Sequence, residues 1–101
     1  MKRSLIRYRT HADRADENQK LIEGVFAELA ATRADDVRYV TLRAPGDVFY
    51  HLVVVDSDAS ESAIVRLGAF RTFQAGVRER SIEPPERSEV TIVGSYRMMG
   101  G

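Results

Sequence analysis

His51 sits in the middle of Val48–Val55, Val-Phe-Tyr-His-Leu-Val-Val-Val, a run that is otherwise apolar and aromatic. An imidazole changes charge near neutral pH after small shifts, which suits general acid–base catalysis. Among such neighbours it either points into a cavity as the catalytic group, or is a buried histidine held by one hydrogen bond or packed into a subunit seam. Tyr8, Tyr39, Tyr50 and Tyr96 fall on predicted strands, and Phe26, Phe70 and Phe73 on predicted helices. A helix–sheet cleft lined by such residues can hold a flat apolar ligand, with tyrosine hydroxyls orienting a phenol or stabilising an enolate. The same aromatics at strand and helix spacing also serve simply as core.

Other reactive types are sparse. Arg7 and Arg9 can grip a carboxylate bidentately or pair with acids across the sheet. His11 lies in a polar turn and reads as a surface residue. Two histidines without clustered carboxylates make a poor metal set, so no metal site is expected. Ser57, Ser60 and Ser62 read as helix-start residues rather than nucleophiles. No Gly-rich phosphate loop and no Gly-X-Ser-X-Gly motif is present. The absence of cysteine excludes disulfides, thiol nucleophiles and thiolate metal sites.

The elements that must position these residues follow in order. Ser4–Thr10 alternates as a first strand, and Tyr8 is assigned to its helix-covered face because that face should hold fewer charges. Asp16 to about Thr32 is a helix with an apolar stripe of Leu21, Ile22, Val25, Phe26 and Leu29. Asp13 or Asp16 is its expected cap. Val37–Arg43 and Val48–Val55 form a hairpin about Ala44-Pro45-Gly46-Asp47, with Thr41 opposite Tyr50 and Tyr39 opposite Leu52. Asp58 and Glu61 suggest a capping box for a second helix from about Ser60 to Arg80, which buries Ile64, Leu67, Phe70, Phe73 and Val77. Pro84-Pro85 interrupts a connection, Glu89–Arg97 reads as the last strand with Gly94 as a bulge, and residues 98–101 close the chain as a tail.

With 101 residues, the chain is expected to be a single domain over 1–101 with a thin core. Lys+Arg and Asp+Glu both number 15, so there is no basic field to draw nucleic acid or an anionic membrane. No signal-type h-region and no span of membrane length is found, and a soluble cytoplasmic protein is the expectation.

The β-α-β-β-α-β order is the ferredoxin-like α+β pattern: a four-stranded antiparallel sheet with two helices on one face. Every predicted strand carries apolar residues on both faces, and Val48–Val55 has no wet face at all. The uncovered face then requires a partner, and a homodimer joined sheet to sheet is expected.

Together with this order and length, Tyr39, the Pro45-Gly46-Asp47 turn, Phe49, Ser57, Ala63, Phe70 and Phe73 resemble the dimeric α+β barrel superfamily. Within it the chain is most similar to small antibiotic-biosynthesis-monooxygenase-like members. The resemblance implies a cofactor-independent oxygenase acting on a small aromatic or polyketide-like compound, with His51 deprotonating or orienting it and Tyr39 or Tyr8 hydrogen-bonded to it. Departures weigh against a standard oxygenase: Val53 and Val55 stand where members often carry Glu and Trp. Haem-degrading relatives use Asn, Trp and His where this chain has Ile6, Ile64 and Gln74, and tryptophan is absent throughout. Haem degradation of that type is therefore not expected. Tyr8, Tyr39, Phe70, Phe73 and Gln74 are the expected ligand contacts, with no cofactor. A non-catalytic ligand-binding or stress-response module and a purely structural dimer are the alternatives. Cavity size separates them, since a ligand site runs from about 300 Å³ upward.

Overall fold

The computed structural model describes residues 1–98; residues 99–101 of the expected tail lie outside them. Strands β1 (Lys2–Thr10), β2 (Val37–Ala44), β3 (Val48–Val55) and β4 (Ser81–Glu89) form one antiparallel sheet in the order β2-β3-β1-β4. Helix α1 (Ala15–Thr32) joins β1 to β2, and helices α2 (Asp58–Arg66) and α3 (Gly68–Arg80) join β3 to β4. This is the ferredoxin-like arrangement.

Alternation decides what each face holds. Tyr8, Phe49 and His51 point to the helices and are buried, with Ile6 and Tyr39 beside them. The expected face for Tyr8 is thus the observed one, and its ring stacks on Phe49 at 5.6 Å. Ile22 and Val25 of α1 and Phe73 and Val77 of α3 close the core from above. The opposite face carries Leu5, Val40, Leu42, Tyr50 and Leu52, and Leu42 is 53% exposed. Arg7, Arg9 and Arg38 share this face, so the uncovered surface is mixed, with apolar side chains at its centre and arginines around them.

Four expectations need correction. First, the last strand is Ser81–Glu89 rather than Glu89–Arg97. It is an edge strand, where a proline nitrogen can face outward, and its pairing shifts register between Arg7 and Arg9, opposite the Pro84-Pro85 region. Arg7 and Arg9 both reach Glu83, at 2.8 and 2.7 Å, so cross-strand charge rather than apolar alternation marks this strand. Gly94 consequently lies in irregular chain beyond it, not in a bulge. Secondly, the hairpin register is one residue away from that expected: Ala44 faces Val48, Thr41 faces His51 and Tyr39 faces Val53. Gly46 and Asp47 both take positive φ, which closes the loop in three residues instead of four. The slip moves Tyr39 and Thr41 to the His51 face.

Thirdly, the second long helix is two. Leu67 adopts ψ 132°, and the new N-terminus at α3 is capped from α1, where Glu28 Oε1 accepts from the Ala69 amide at 3.0 Å. Fourthly, Ser57 caps α2, its hydroxyl accepting from the Ser60 amide, while Glu61 reaches Lys2 and Arg87 instead of closing a capping box. Neither Asp13 nor Asp16 caps α1; the chain enters it through a short 3₁₀ turn at Ala12–Arg14.

Candidate functional site

Between the sheet and the α2–α3 pair lies a cavity of about 220 Å³. His51, Tyr8, Tyr39, Phe70, Phe73 and Gln74, the six residues singled out from sequence, all line it. Apolar walls come from Ile6, Val53, Ile64 and Val77. Gln74 is exposed, and Glu61 and Arg87 form a half-exposed pair that also lines the space. The volume falls below the roughly 300 Å³ expected of a ligand site, so size alone does not favour an enzyme or binder over a structural subunit, and the space holds at most a molecule of one or two rings. Phe70 and Phe73 wall the space rather than fill it, and Leu67 does not border it. A second, more open concavity of about 350 Å³ near the end of α1 shares Tyr39 and is edged by Arg33 and Asp35.

The polar end of the cavity is a connected chain. His51 Nε2 lies 2.9 Å from Tyr8 Oη, and His51 Nδ1 lies 2.6 Å from Tyr39 Oη and 3.1 Å from Thr41 Oγ1. Behind Tyr8, Asn18 Nδ2 donates to the same hydroxyl at 2.8 Å. Arg80 Nε donates to Asn18 Oδ1 at 3.1 Å, and its Nη2 donates to the Phe73 carbonyl at 2.8 Å. Asn18 is fully buried and Arg80 is 2% exposed. Arg80 also lies over the Phe73 ring, 5.4 Å from its centroid. No carboxylate forms an ion pair with it among the described residues, and burial pulls its pKa down.

Burial governs the remaining acidities. It pushes the His51 pKa down to about 4, so the ring is neutral at pH 7. It pushes the Tyr39 hydroxyl up to about 12, partly offset by the neighbouring Thr41, and raises Tyr8, partly offset by Asn18. The site therefore offers neutral hydrogen-bonding groups at one end of an apolar cavity. Among the described residues, no three of His, Cys, Asp and Glu come together as a metal set.

Asn18 and Arg80 were not singled out from the sequence, although a signal exists. Asn18 lies on the Ile22–Val25 stripe of α1, and Arg80 on the Phe73–Val77 stripe of α3, at spacings of three and four. A polar residue on a buried stripe needs a buried partner. Arg7 and Arg9, by contrast, are spent on Glu83 and point away from the cavity.

No protein-family model matches the chain, and no curated protein matches it. Solved structures do. A protein from Nitrosomonas europaea, provisionally named an antibiotic biosynthesis monooxygenase, superposes with a TM-score of 0.77 at 11% identity, over 93% of this chain and 100% of that one. The chain has the antibiotic-biosynthesis-monooxygenase-like fold. A Caulobacter crescentus protein with the same provisional name gives 0.75 at 15% identity, over 91% of this chain and 89% of that one. Rv0793 from Mycobacterium tuberculosis gives 0.75 at 14% identity, over 92% and 95%. At such identities the likeness is one of fold, and residue roles within this monooxygenase-like scaffold must rest on the site's own geometry.

Proposed function

We propose that the chain works as a homodimer whose cavity binds a small, flat, oxygenated aromatic or polyketide-like compound and assists its oxidation by O₂ without a cofactor. The observation that carries this reading is the His51–Tyr8–Tyr39 cluster at the buried end of a cavity walled mainly by apolar residues. In such a reaction the substrate is its own reductant. A ring methylene gives up a proton to a water molecule to form an enolate, the enolate carbon adds O₂ to give a hydroperoxide that takes the proton back, and loss of water completes the net change CH₂ + O₂ → C=O + H₂O. Tyr39, held in place by His51, donates its hydroxyl proton to the enolate oxygen and so orients the substrate and stabilises the anion.

The dimer is supported by the uncovered face of Leu5, Val40, Leu42 and Leu52. It is also supported by the segment beyond β4. There Ile92 is 46% and Val93 99% exposed, residues of strand type that find no sheet partner within one chain.

Oxygen uptake with 1,3-indanedione, a two-ring compound with an acidic ring methylene, followed by electrode, tests the reading. His51→Ala is expected to leave the dimer intact on gel filtration and to abolish uptake. If this variant dissociates or precipitates, His51 is a packing residue and the catalytic assignment falls. The weak basicity of His51 favours a second reading, binding without turnover. A thermal shift with ligand but no uptake by the wild type would select it.

A further inference from the structure

Arg80 sets a direction on the whole hydrogen-bond chain. A guanidinium only donates, so the Asn18 side chain must turn its carbonyl oxygen to Arg80 and its NH₂ to Tyr8. Tyr8 Oη is thereby an acceptor from Asn18. Its own proton, in a buried site, has His51 Nε2 as partner at 2.9 Å. Were Nε2 protonated instead, the Tyr8 O–H would be left buried and unpaired. His51 Nε2 thus accepts, the ring proton sits on Nδ1, and Nδ1–H donates to Tyr39 and Thr41. Tyr39 Oη, already an acceptor, keeps its own proton for the cavity that its side chain lines.

From this geometry, and resting on the ligand reading above, we infer that the site selects compounds ending in a pure hydrogen-bond acceptor, a ketone, quinone or enolate oxygen, over those ending in a hydroxyl such as a phenol, whose own O–H would find no acceptor there. Asn18 and Arg80 are positioning residues that impose this preference through Tyr8 and His51. His51 does not take a proton directly in this arrangement, because its one lone pair is occupied by Tyr8.

Asn18→Asp reverses the chain. A carboxylate beside Arg80 accepts from both sides, so Tyr8 turns its proton to that carboxylate and accepts from His51 Nε2–H. Nδ1 then accepts from Tyr39, whose lone pairs are left facing the cavity. The change supplies Arg80 with an ion-pair partner, so the fold is retained.

Nitrogen NMR of ¹⁵N-histidine-labelled protein at pH 7 reads the tautomer, and the chain has only two histidines to assign. The expected result is the Nδ1–H form of His51 in the wild type and the Nε2–H form in Asn18→Asp. An Nε2–H wild type, or a variant with an unchanged tautomer, overturns the polarity. Calorimetry with 1-tetralone and 1-naphthol reads selection. The wild type is expected to prefer the ketone by about tenfold, the scale of one buried donor left unpaired, and the variant to prefer the naphthol. Equal preference in the two proteins overturns the selection. If neither compound binds either protein, selection fails together with the proposed function, while the tautomers still decide the polarity.

Discussion

His51 Nε2 and Tyr8 Oη lie 2.9 Å apart on adjacent strands, although the two residues are not directly paired. The sheet register sets Ile6 opposite His51 and Phe49 opposite Tyr8, so the contact is a diagonal one on the helix-covered face. This diagonal joins a histidine at the cavity to a buried chain ending in Arg80. Most of the expected behaviour of the protein follows from how dry that chain is.

Acid should weaken the fold through His51. Its folded pKa, about 4, lies below the ordinary 6.5, so between these values the unfolded chain binds more protons than the folded one. Stability is then fully present above pH 6.5 and is lost as pH falls toward 4, by about 3 kcal/mol in total. Urea titrations across this range are expected to show the slope, and His51→Gln to flatten it. The lowered pKa values of Glu17, Glu61 and Glu83 bring their own losses at lower pH. A wild-type stability that is flat from pH 6.5 to 4.5 would contradict the burial of a neutral His51.

Two glycines in helices should respond in opposite directions. A Cβ at Gly24 would lie 3.9 Å from Ala69 Cβ, an ordinary contact, so Gly24→Ala is expected to gain about 1 kcal/mol from helix propensity. A Cβ at Gly76 would lie 2.7 Å from Arg80 Nη1. Arg80 is pinned by Asn18 and the Phe73 carbonyl, so Gly76→Ala should lose about 1 kcal/mol despite the same helix gain. Chemical denaturation of both variants checks this. An equal gain at the two sites would mean that Arg80 is not held.

The uncovered sheet face should control assembly. Leu52 lies at its centre, between Leu5 and Val40 in register. Leu52→Asp places a charge in the proposed seam and is expected to yield single chains at micromolar concentration, where the wild type runs as a pair. Gel filtration with light scattering decides. A wild type with the mass of one chain would rule out the dimer.

Much of this architecture was legible in the sequence because periodicity reports burial directly. Val48–Val55 is the third strand to the residue, and the α1 stripe faces the core as read, as do Phe70, Phe73 and Val77 of α3, whereas Leu67 falls at the break between α2 and α3. Expectations failed where other forces chose the structure. β4 is held by Glu83 with Arg7 and Arg9 and tolerates two prolines at an edge, while the more strand-like Val90–Val93 lies beyond it. The hairpin register turned on whether Ala44 belonged to the loop or the strand, which composition does not decide. The six site residues converge on one cavity, yet Asn18 and Arg80, which orient them, look in sequence like ordinary helix-surface polar residues.

The most direct test of the central claim is an amide NMR titration of the wild type and of Tyr39→Phe with 1-tetralone. Shifts are expected at His51, Phe70, Phe73 and Gln74 in the wild type, with an affinity lower by about tenfold in the variant and little change in stability. Shifts confined to the concavity around Arg33 and Asp35, or none at all, would contradict a ligand site built on Tyr39 and His51.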